Sequence, residues 1–234
     1  MYLQALKFWL AAEFPYPTPE QFERSNPKCY KDAFRKPVQE ILDAWELEME
    51  RPSCLMCNRT VWSQYKHRCT CKFMIGMAAC GAVVTASEPR GGSCDDVLLA
   101  QCTGVIDRLY ANFCSLLDKG FMMQAEMAEK KHDCVTPTHR WNGQVSFTLD
   151  ESKVNDKVAI FRVPIENQIK SVREFKILHK VVKVRLYYLL PLPYLCRSPT
   201  AILLVPSSSF ARSCPTTKDP FGERGQVLSP RDAP

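Results

Sequence analysis

One stretch, from Cys54 to Cys71 (CLMCNRTVWSQYKHRCTC), contains four of the twelve cysteines and one of the four histidines of the chain. Cys54 and Cys57 form a C-x-x-C pair, a spacing at which one turn can direct two thiolates toward the same ion. His67, Cys69 and Cys71 follow. We therefore predict a zinc site made of Cys54, Cys57, Cys69 and either Cys71 or His67. A C-x-C pair is less diagnostic of zinc than a second C-x-x-C pair, so other interpretations stay open.

Three alternatives explain the same cysteines. Reduced cysteines behave as small hydrophobic residues and are often buried, so they need no ligand. A disulfide framework is favoured by the even number of cysteines and by an N-x-T glycosylation acceptor at Asn58. It requires a secreted chain, and Met1 to Ala12 has no basic region ahead of its apolar residues, so a secretory signal is poorly formed. A redox C-x-x-C pair would require a preceding strand, whereas the preceding segment has a helical pattern.

The cysteine-rich stretch is also basic. No Asp or Glu occurs between Arg51 and Ser87, while this segment contains several Lys and Arg residues. Trp62 and Tyr65 lie beside them, and cations with neighbouring aromatic rings are typical of surfaces that bind single-stranded nucleic acid. The alternative is a solvated face, or a patch that pairs internally with the acidic segment before it. The five cations are Arg51, Arg59, Lys66, Arg68 and Lys72.

Most of the first two-thirds of the chain has a helical pattern of apolar residues. After Pro37, apolar side chains recur at three- and four-residue steps, which predicts an acidic amphipathic helix from Val38 to Met49. Phe73 to Ala86 carries no charge and predicts a buried core element. A longer apolar repeat predicts a core helix over Asp95 to Lys119, and Phe121 to His132 predicts a further helix. A short apolar helix is also predicted near the N-terminus.

After Pro137 the apolar residues alternate with polar ones. Three segments with this pattern predict an antiparallel three-stranded sheet: Gln144 to Leu149, Lys157 to Val163 and Arg173 to Tyr188. From Pro191 to Pro234 the chain is rich in proline and has no periodicity, which is typical of a disordered tail.

Together these patterns predict an α+β protein with three regions. Residues 1–135 form a helical region with a cysteine-rich insert at 51–72, residues 136–190 form the small β region, and residues 191–234 form the tail. Proline and arginine residues interrupt the apolar segment from Leu186 to Val205, which argues against a membrane span.

No catalytic signature is present. The chain has no G-x-S-x-G, no H-E-x-x-H and no glycine-rich phosphate loop, and we find no paired-carboxylate motif. The sequence therefore predicts a non-catalytic intracellular protein, in the cytoplasm or nucleus, that binds an unknown protein partner and holds a small zinc or thiol cluster. The two alternatives are a nucleic-acid binder that uses the basic patch and a secreted disulfide-linked protein.

Overall fold

A computed structural model describes residues 15–138, 140, 146–174, 178 and 181–183. The predicted N-terminal helix and the tail from Pro191 to Pro234 lie outside the described residues. So do most of the third predicted strand and part of the first.

The described residues form a mixed sheet around two long strands. The strands are β1 (Val38–Glu48), β2 (Trp62–Ser63), β3 (Arg68–Met77), β4 (Val83–Ala86), β5 (Arg90–Gly91), β6 (Cys114–Leu116) and β7 (Asp133–Val135). The order is β2-β3-β1-β6-β7, and β4 and β5 also pair with β3. β3 runs antiparallel to β1, whereas β6 and β7 run parallel to β1. Parallel pairing places the end of β6 beside Ile41, within β1.

Helices cover the sheet on both faces. They are α1 (Pro19–Ser25), α2 (Lys28–Ala33), α3 (Leu55–Val61), α4 (Asp96–Thr103), α5 (Gln124–Glu129) and α6 (Leu149–Arg173), with a 3₁₀ turn at Ile106–Arg108. Among the described residues no helix is both long and apolar enough to cross a membrane.

Alternation along β1 divides its side chains between two cores. Ile41 and Trp45 belong to a cluster with Ile165 and Ile169 of α6. Leu42, on the opposite face, belongs to a second cluster that includes Leu99 of α4. Because successive strand residues point to opposite faces, every odd-numbered residue from Ile41 to Trp45 faces α6.

The predicted helical N-terminal region is wrong, because strands dominate the first two-thirds of the chain. The segment from Val38 to Glu48 is β1 and not an acidic helix. The spacing of its apolar residues fits a helix and a strand equally well. Ile41 and Trp45 are four residues apart, which places them on the same face in either structure. Both faces of this strand are covered, so it does not show the simple alternation of a half-exposed strand. Pairing with β3 decides the structure.

The predicted three-stranded sheet after Pro137 is also wrong over the described residues. Leu149–Arg173 is one continuous helix, α6. The Thr148 hydroxyl accepts a hydrogen bond from the backbone N–H of Glu151, and the Glu151 carboxylate accepts one from the backbone N–H of Thr148, which is a capping box. Pro164 lies inside this helix without ending it.

The core helix predicted over Asp95 to Lys119 is correct only at its start. Asp95 caps α4 by accepting a hydrogen bond from the Leu98 N–H, and the helix ends at Gly104, which has a left-handed conformation (φ 64°). The remaining apolar residues form the 3₁₀ turn and the buried strand β6. The prediction of a buried element from Phe73 to Ala86 is confirmed, since it contains the second half of β3 and all of β4, most of whose residues are buried.

Candidate active site

Two aspartates lie close together on neighbouring parallel strands, Asp43 within β1 and Asp118 just after the end of β6. Ile41 of β1 and Leu116 of β6 are register partners. Asp43 and Asp118 each come two residues later, so alternation directs both carboxylates to the sheet face that packs on α6. Asp118 lies two residues after the end of β6, and its side chain is about half exposed (51%).

Helix α6 adds a cation and a third carboxylate to the same place. Arg162 and Glu166 lie one turn apart, on the side of the helix that carries the buried Phe161, Ile165 and Ile169. Arg162 Nη1 donates to Asp118 Oδ1 at 2.8 Å. Arg162 Nη2 lies 3.6 Å from Asp43 Oδ1. The guanidinium therefore bridges the two aspartates.

The electrostatics of Asp43 show that the three carboxylates influence one another. The pKa of Asp43 is raised to about 6, mainly because of burial and also because of the negative charges of Asp118 and Glu166. The positive charge of Arg162 and a backbone hydrogen bond from Ala44 act in the opposite direction. Burial outweighs the ion pair because the Asp43 side chain is only 17% exposed. Perturbed carboxyl groups of this kind are concentrated at functional sites.

These side chains open into a cleft of about 570 Å³, which we call the carboxylate cleft. In addition to Asp43, Asp118 and Glu166, its walls carry two further acids, Glu46 and Asp96, and aromatic and basic residues. Those that matter here are Tyr65, Lys66, Lys72, Asp96, Lys170 and Arg173.

The cations of the carboxylate cleft differ in how far they are neutralised. Lys72 Nζ lies 3.2 Å from Asp96 Oδ1 and 3.7 Å from Glu46 Oε1. Within the described part of the chain, Lys66, Lys170 and Arg173 make no ion pair. Three cations therefore remain available to an anionic ligand.

Aromatic rings support two of these free cations. Lys66 Nζ lies 4.7 Å from the centre of the Tyr65 ring. The Arg173 guanidinium lies 5.5 Å from the centre of the Trp45 ring. Tyr65 itself is 81% exposed, so its ring presents a surface on which a planar group can stack.

The internal pairing predicted for the basic patch is confirmed for two of its residues. Arg68 forms an ion pair with Glu48 at 2.8 Å, and Lys72 pairs with Glu46. The acidic partners lie on a strand and not on a helix, because β1 and β3 pair antiparallel with Glu48 opposite Thr70 and Glu46 opposite Lys72.

The structure does not assemble the predicted zinc ligands. Cys54 and Cys57 are exposed, at the start of α3, whereas Cys69 and Cys71 are buried in β3. His67 is exposed, in the turn before β3, with a left-handed backbone (φ 52°). No three His, Cys, Asp or Glu side chains of the described residues are placed to hold a metal ion. The prediction of a zinc-binding protein is therefore not supported.

The buried thiols donate hydrogen bonds to oxygen atoms of the protein. The Cys71 thiol donates to the Leu47 carbonyl at 3.6 Å, and burial raises its pKa to about 12. The Cys69 thiol donates to Asn58 Oδ1 at 3.2 Å. A metal needs thiolates, so this environment disfavours coordination.

The exposed thiols interact with each other. A hydrogen bond from the Cys57 backbone lowers the pKa of Cys54, and the hydrogen bond between the two thiols raises the pKa of Cys57. Nine of the cysteines in the described residues are free thiols, and Cys29 is disulfide-bonded.

Sequence reasoning missed every residue of the carboxylate cluster. Asp43 was interpreted as one of several solvent-facing acids on a helix, and the search for paired carboxylates considered only residues close in sequence. One signal was available. In strand register, Asp43 is the charged residue between Ile41 and Trp45 on a face that is otherwise apolar, and a charge in that position requires a partner.

Comparison with known families gives one match. A family model described as DDE superfamily endonuclease matches residues 42–202, more than half of the chain. The matched range includes Asp43, Asp118, Arg162 and Glu166. Neither the curated proteins nor the solved structures include a match to the chain.

This match overturns the prediction of a non-catalytic interaction protein, because the matching family consists of nucleases. The sequence predicted a non-catalytic protein because it contains no local catalytic signature. Asp43, Asp118 and Glu166 come from three distant segments of the chain, and no short motif spans them.

Proposed function

Because the chain belongs to the DDE superfamily endonuclease family, we propose that it cleaves a phosphodiester bond of a nucleic acid in the carboxylate cleft. One observation carries the proposal. Asp43 within β1, Asp118 just after β6 and Glu166 on α6 line one cleft together with free cations, and the charges of Asp118 and Glu166 both act on Asp43. We assign these three carboxylates as the groups on which cleavage depends.

The free cations give the carboxylate cleft its affinity for a nucleic acid. Three carboxylates repel a phosphodiester backbone, so binding requires positive charge nearby. Lys66, Lys170 and Arg173 supply it, since none of them is neutralised by a carboxylate among the described residues. Lys66 and Tyr65 belong to the basic patch. The sequence-based alternative of a nucleic-acid binder therefore supplies the substrate class of this proposal.

Tyr65 has a separate role in the proposed complex. Its exposed ring lies beside Lys66, and base stacking on an aromatic ring is insensitive to sequence. We expect Tyr65 to stack on a base next to the bond that is cut, and the cations to hold the flanking phosphates. This arrangement favours a substrate with an unpaired base over a continuous duplex.

DDE endonucleases use divalent metal ions, usually Mg²⁺ or Mn²⁺. The donor type fits these ions, because carboxylate oxygens are hard ligands. The placement does not fit. No three acidic side chains of the described residues converge as a metal site, and Arg162 lies between Asp43 and Asp118. The arrangement is that of a carboxylate–guanidinium cluster.

Cleavage of supercoiled plasmid tests the proposal. The wild-type protein is incubated with plasmid in Mg²⁺ or Mn²⁺ buffer, and nicked and linear products are separated on a gel. We expect Asp43→Asn to lower the rate about 10³-fold, because the neutral amide cannot replace a catalytic carboxylate.

Asp96→Asn is the matched control. Asp96 lines the same cleft, but its carboxylate is paired with Lys72. We expect it to retain activity within roughly threefold, since a partly exposed ion pair contributes little. Thermal melting of both variants establishes that they fold. Equal cleavage by wild type and Asp43→Asn would show that the activity resides elsewhere or in a contaminant.

A further inference from the structure

Arg162 is an unusual group to find between two acids that line a cleft. It is 9% exposed overall, and its guanidinium is held inside the sheet–helix interface instead of extending into solvent. Its Nη1 lies 2.8 Å from Asp118 Oδ1, and its Nη2 lies 3.6 Å from Asp43 Oδ1. The third, Nε, is buried and has no hydrogen-bond partner among the described residues. A buried cation with an unsatisfied N–H costs free energy that the two ion pairs must offset.

The aspartates depend on Arg162 in return. No other Lys or Arg in the described ranges lies within 4 Å of either carboxylate. Without the guanidinium, two adjacent carboxylates would face each other across a partly buried space with Glu166 nearby. Their mutual repulsion would push the side chains apart.

Arg162 is also fixed in position by its own helix. It lies between Phe161 and Ile165 on α6, and both of these residues are buried in the core beside β1. Phe161 further accepts, through its backbone carbonyl, a hydrogen bond from the Tyr30 hydroxyl at 3.0 Å. The guanidinium is thus presented by a packed segment, while Asp118 is half exposed and has room to turn away.

On the basis of the proposed function, we infer that Arg162 is a positioning residue that holds Asp43 and Asp118 together as an internal counter-ion, and that a divalent cation must displace at least one of these ion pairs to bind between them. The more exposed pair, with Asp118, is the one that opens. Arg162 thereby keeps the carboxylates assembled and lowers the affinity of the cleft for the cation.

Binding of Mn²⁺ alone tests this inference without any activity measurement. Free Mn²⁺ is measured by electron paramagnetic resonance during titration of the full chain, and thermal melting is recorded with and without Mn²⁺. We expect Arg162→Gln to bind Mn²⁺ about tenfold more tightly than wild type, because a positive charge within a few ångströms of the ion is removed. We also expect it to melt at a lower temperature without Mn²⁺ and to gain more from Mn²⁺ than wild type does.

Arg173→Gln is the matched control, since Arg173 lines the same cleft and makes no ion pair with a carboxylate of the described residues. We expect its Mn²⁺ affinity to change by less than about threefold. Arg162→Lys is the second variant if Arg162→Gln does not fold. A lysine can pair with only one aspartate at a time, so we expect a smaller gain in Mn²⁺ affinity, of about threefold.

Unchanged or weaker Mn²⁺ binding by the folded Arg162 variants overturns the inference, as does a failure of all variants and wild type to bind Mn²⁺. A failure of the proposed function gives a different result. In that case plasmid cleavage does not depend on Asp43, whatever Mn²⁺ binding shows.

Discussion

The thiol segment (Cys54 to Cys71) and the carboxylate cleft lie on the same sheet. They differ in whether residues that are close in the sequence are also close in the structure. The thiol segment concentrates reactive side chains within a short distance along the chain, and the fold separates them into exposed and buried groups. The carboxylate cleft collects Asp43, Asp118 and Glu166 from distant parts of the chain. Proximity in sequence is therefore a poor guide to proximity in this fold, while register between parallel strands is a good one.

The two regions also differ in what keeps their reactive groups in place. Cys71 is fully buried and its thiol is bonded to a backbone carbonyl, so it contributes packing. Asp43 is partly buried, with 17% of its side chain exposed, and the positive charge of Arg162 opposes the rise in pKa that burial causes. Folded proteins tolerate such an arrangement mainly where function requires it. The difference separates a structural group from a functional one.

The largest effect that this comparison predicts is on cleavage. Glu166→Gln should lower the rate of plasmid cleavage about 10³-fold. It removes the charge of one of the three assigned carboxylates and keeps a side chain of nearly the same shape. The double substitution Cys54→Ser and Cys57→Ser should change the rate less than about twofold, since these thiols are exposed and lie outside the cleft. Gel quantification of nicked product measures both. A large loss in the double cysteine variant would show that the two thiols themselves take part in function.

Thiol reactivity gives the next largest effect. Iodoacetamide should label Cys54 at least about 100-fold faster than Cys71, because reaction at a buried thiol requires local opening and a thiolate. Peptide mass mapping at several times of labelling gives the two rates. Under denaturing conditions the difference should disappear. Similar rates in the native protein would mean that β3 is not paired as the structure has it.

Some parts of the fold were predictable from the sequence because their local patterns agree with their tertiary surroundings. The start of α4 was predictable, because Asp95 is a capping residue before an apolar repeat. The buried segment from Phe73 was predictable from its lack of charge. β1 was not, since a strand covered on both faces loses its alternation and its apolar residues then match a helix equally well.

Helix α6 was missed for a different reason. The capping box of Thr148 and Glu151 is typical of the start of a helix. The alternation of apolar and polar residues from Lys157 to Val163, however, favours a strand. This error hid the candidate site. Once α6 is a helix, Arg162 lies on its buried face and Glu166 lies one turn later, and a buried arginine requires acidic partners.

A smaller effect is predicted for binding of nucleic acid. Lys170→Gln should weaken binding of a single-stranded oligonucleotide about three- to fivefold and reduce the salt slope by roughly one, because one phosphate contact is lost. Lys153→Gln is the control: Lys153 lies on the same helix but pairs with Asp150 and does not line the cleft. Fluorescence anisotropy at several salt concentrations measures both. Equal losses would indicate non-specific attraction to the basic helix.

The smallest effect concerns His132, a titratable side chain that serves the fold and not the cleft. Its Nδ1 donates to the Tyr110 carbonyl and its Nε2 accepts from the Ser115 hydroxyl, each at 2.8 Å, which fixes a neutral ring. Burial lowers the pKa of His132 below its usual value of about 6.5. Protonation of Nε2 would require the Ser115 hydroxyl to turn and accept in place of donating.

The sign of the pH dependence follows from this lowered pKa. The unfolded chain binds the His132 proton at a higher pH than the folded chain does, so stability should fall as the pH decreases below about 6.5. The slope from one proton is at most about 1.4 kcal/mol per pH unit. Urea unfolding at pH 7.5, 6.5 and 5.5 measures it, and His132→Asn should remove this contribution. If the wild type and His132→Asn lose stability in parallel, His132 is not the titrating group, and acidification acts on the fold through other residues.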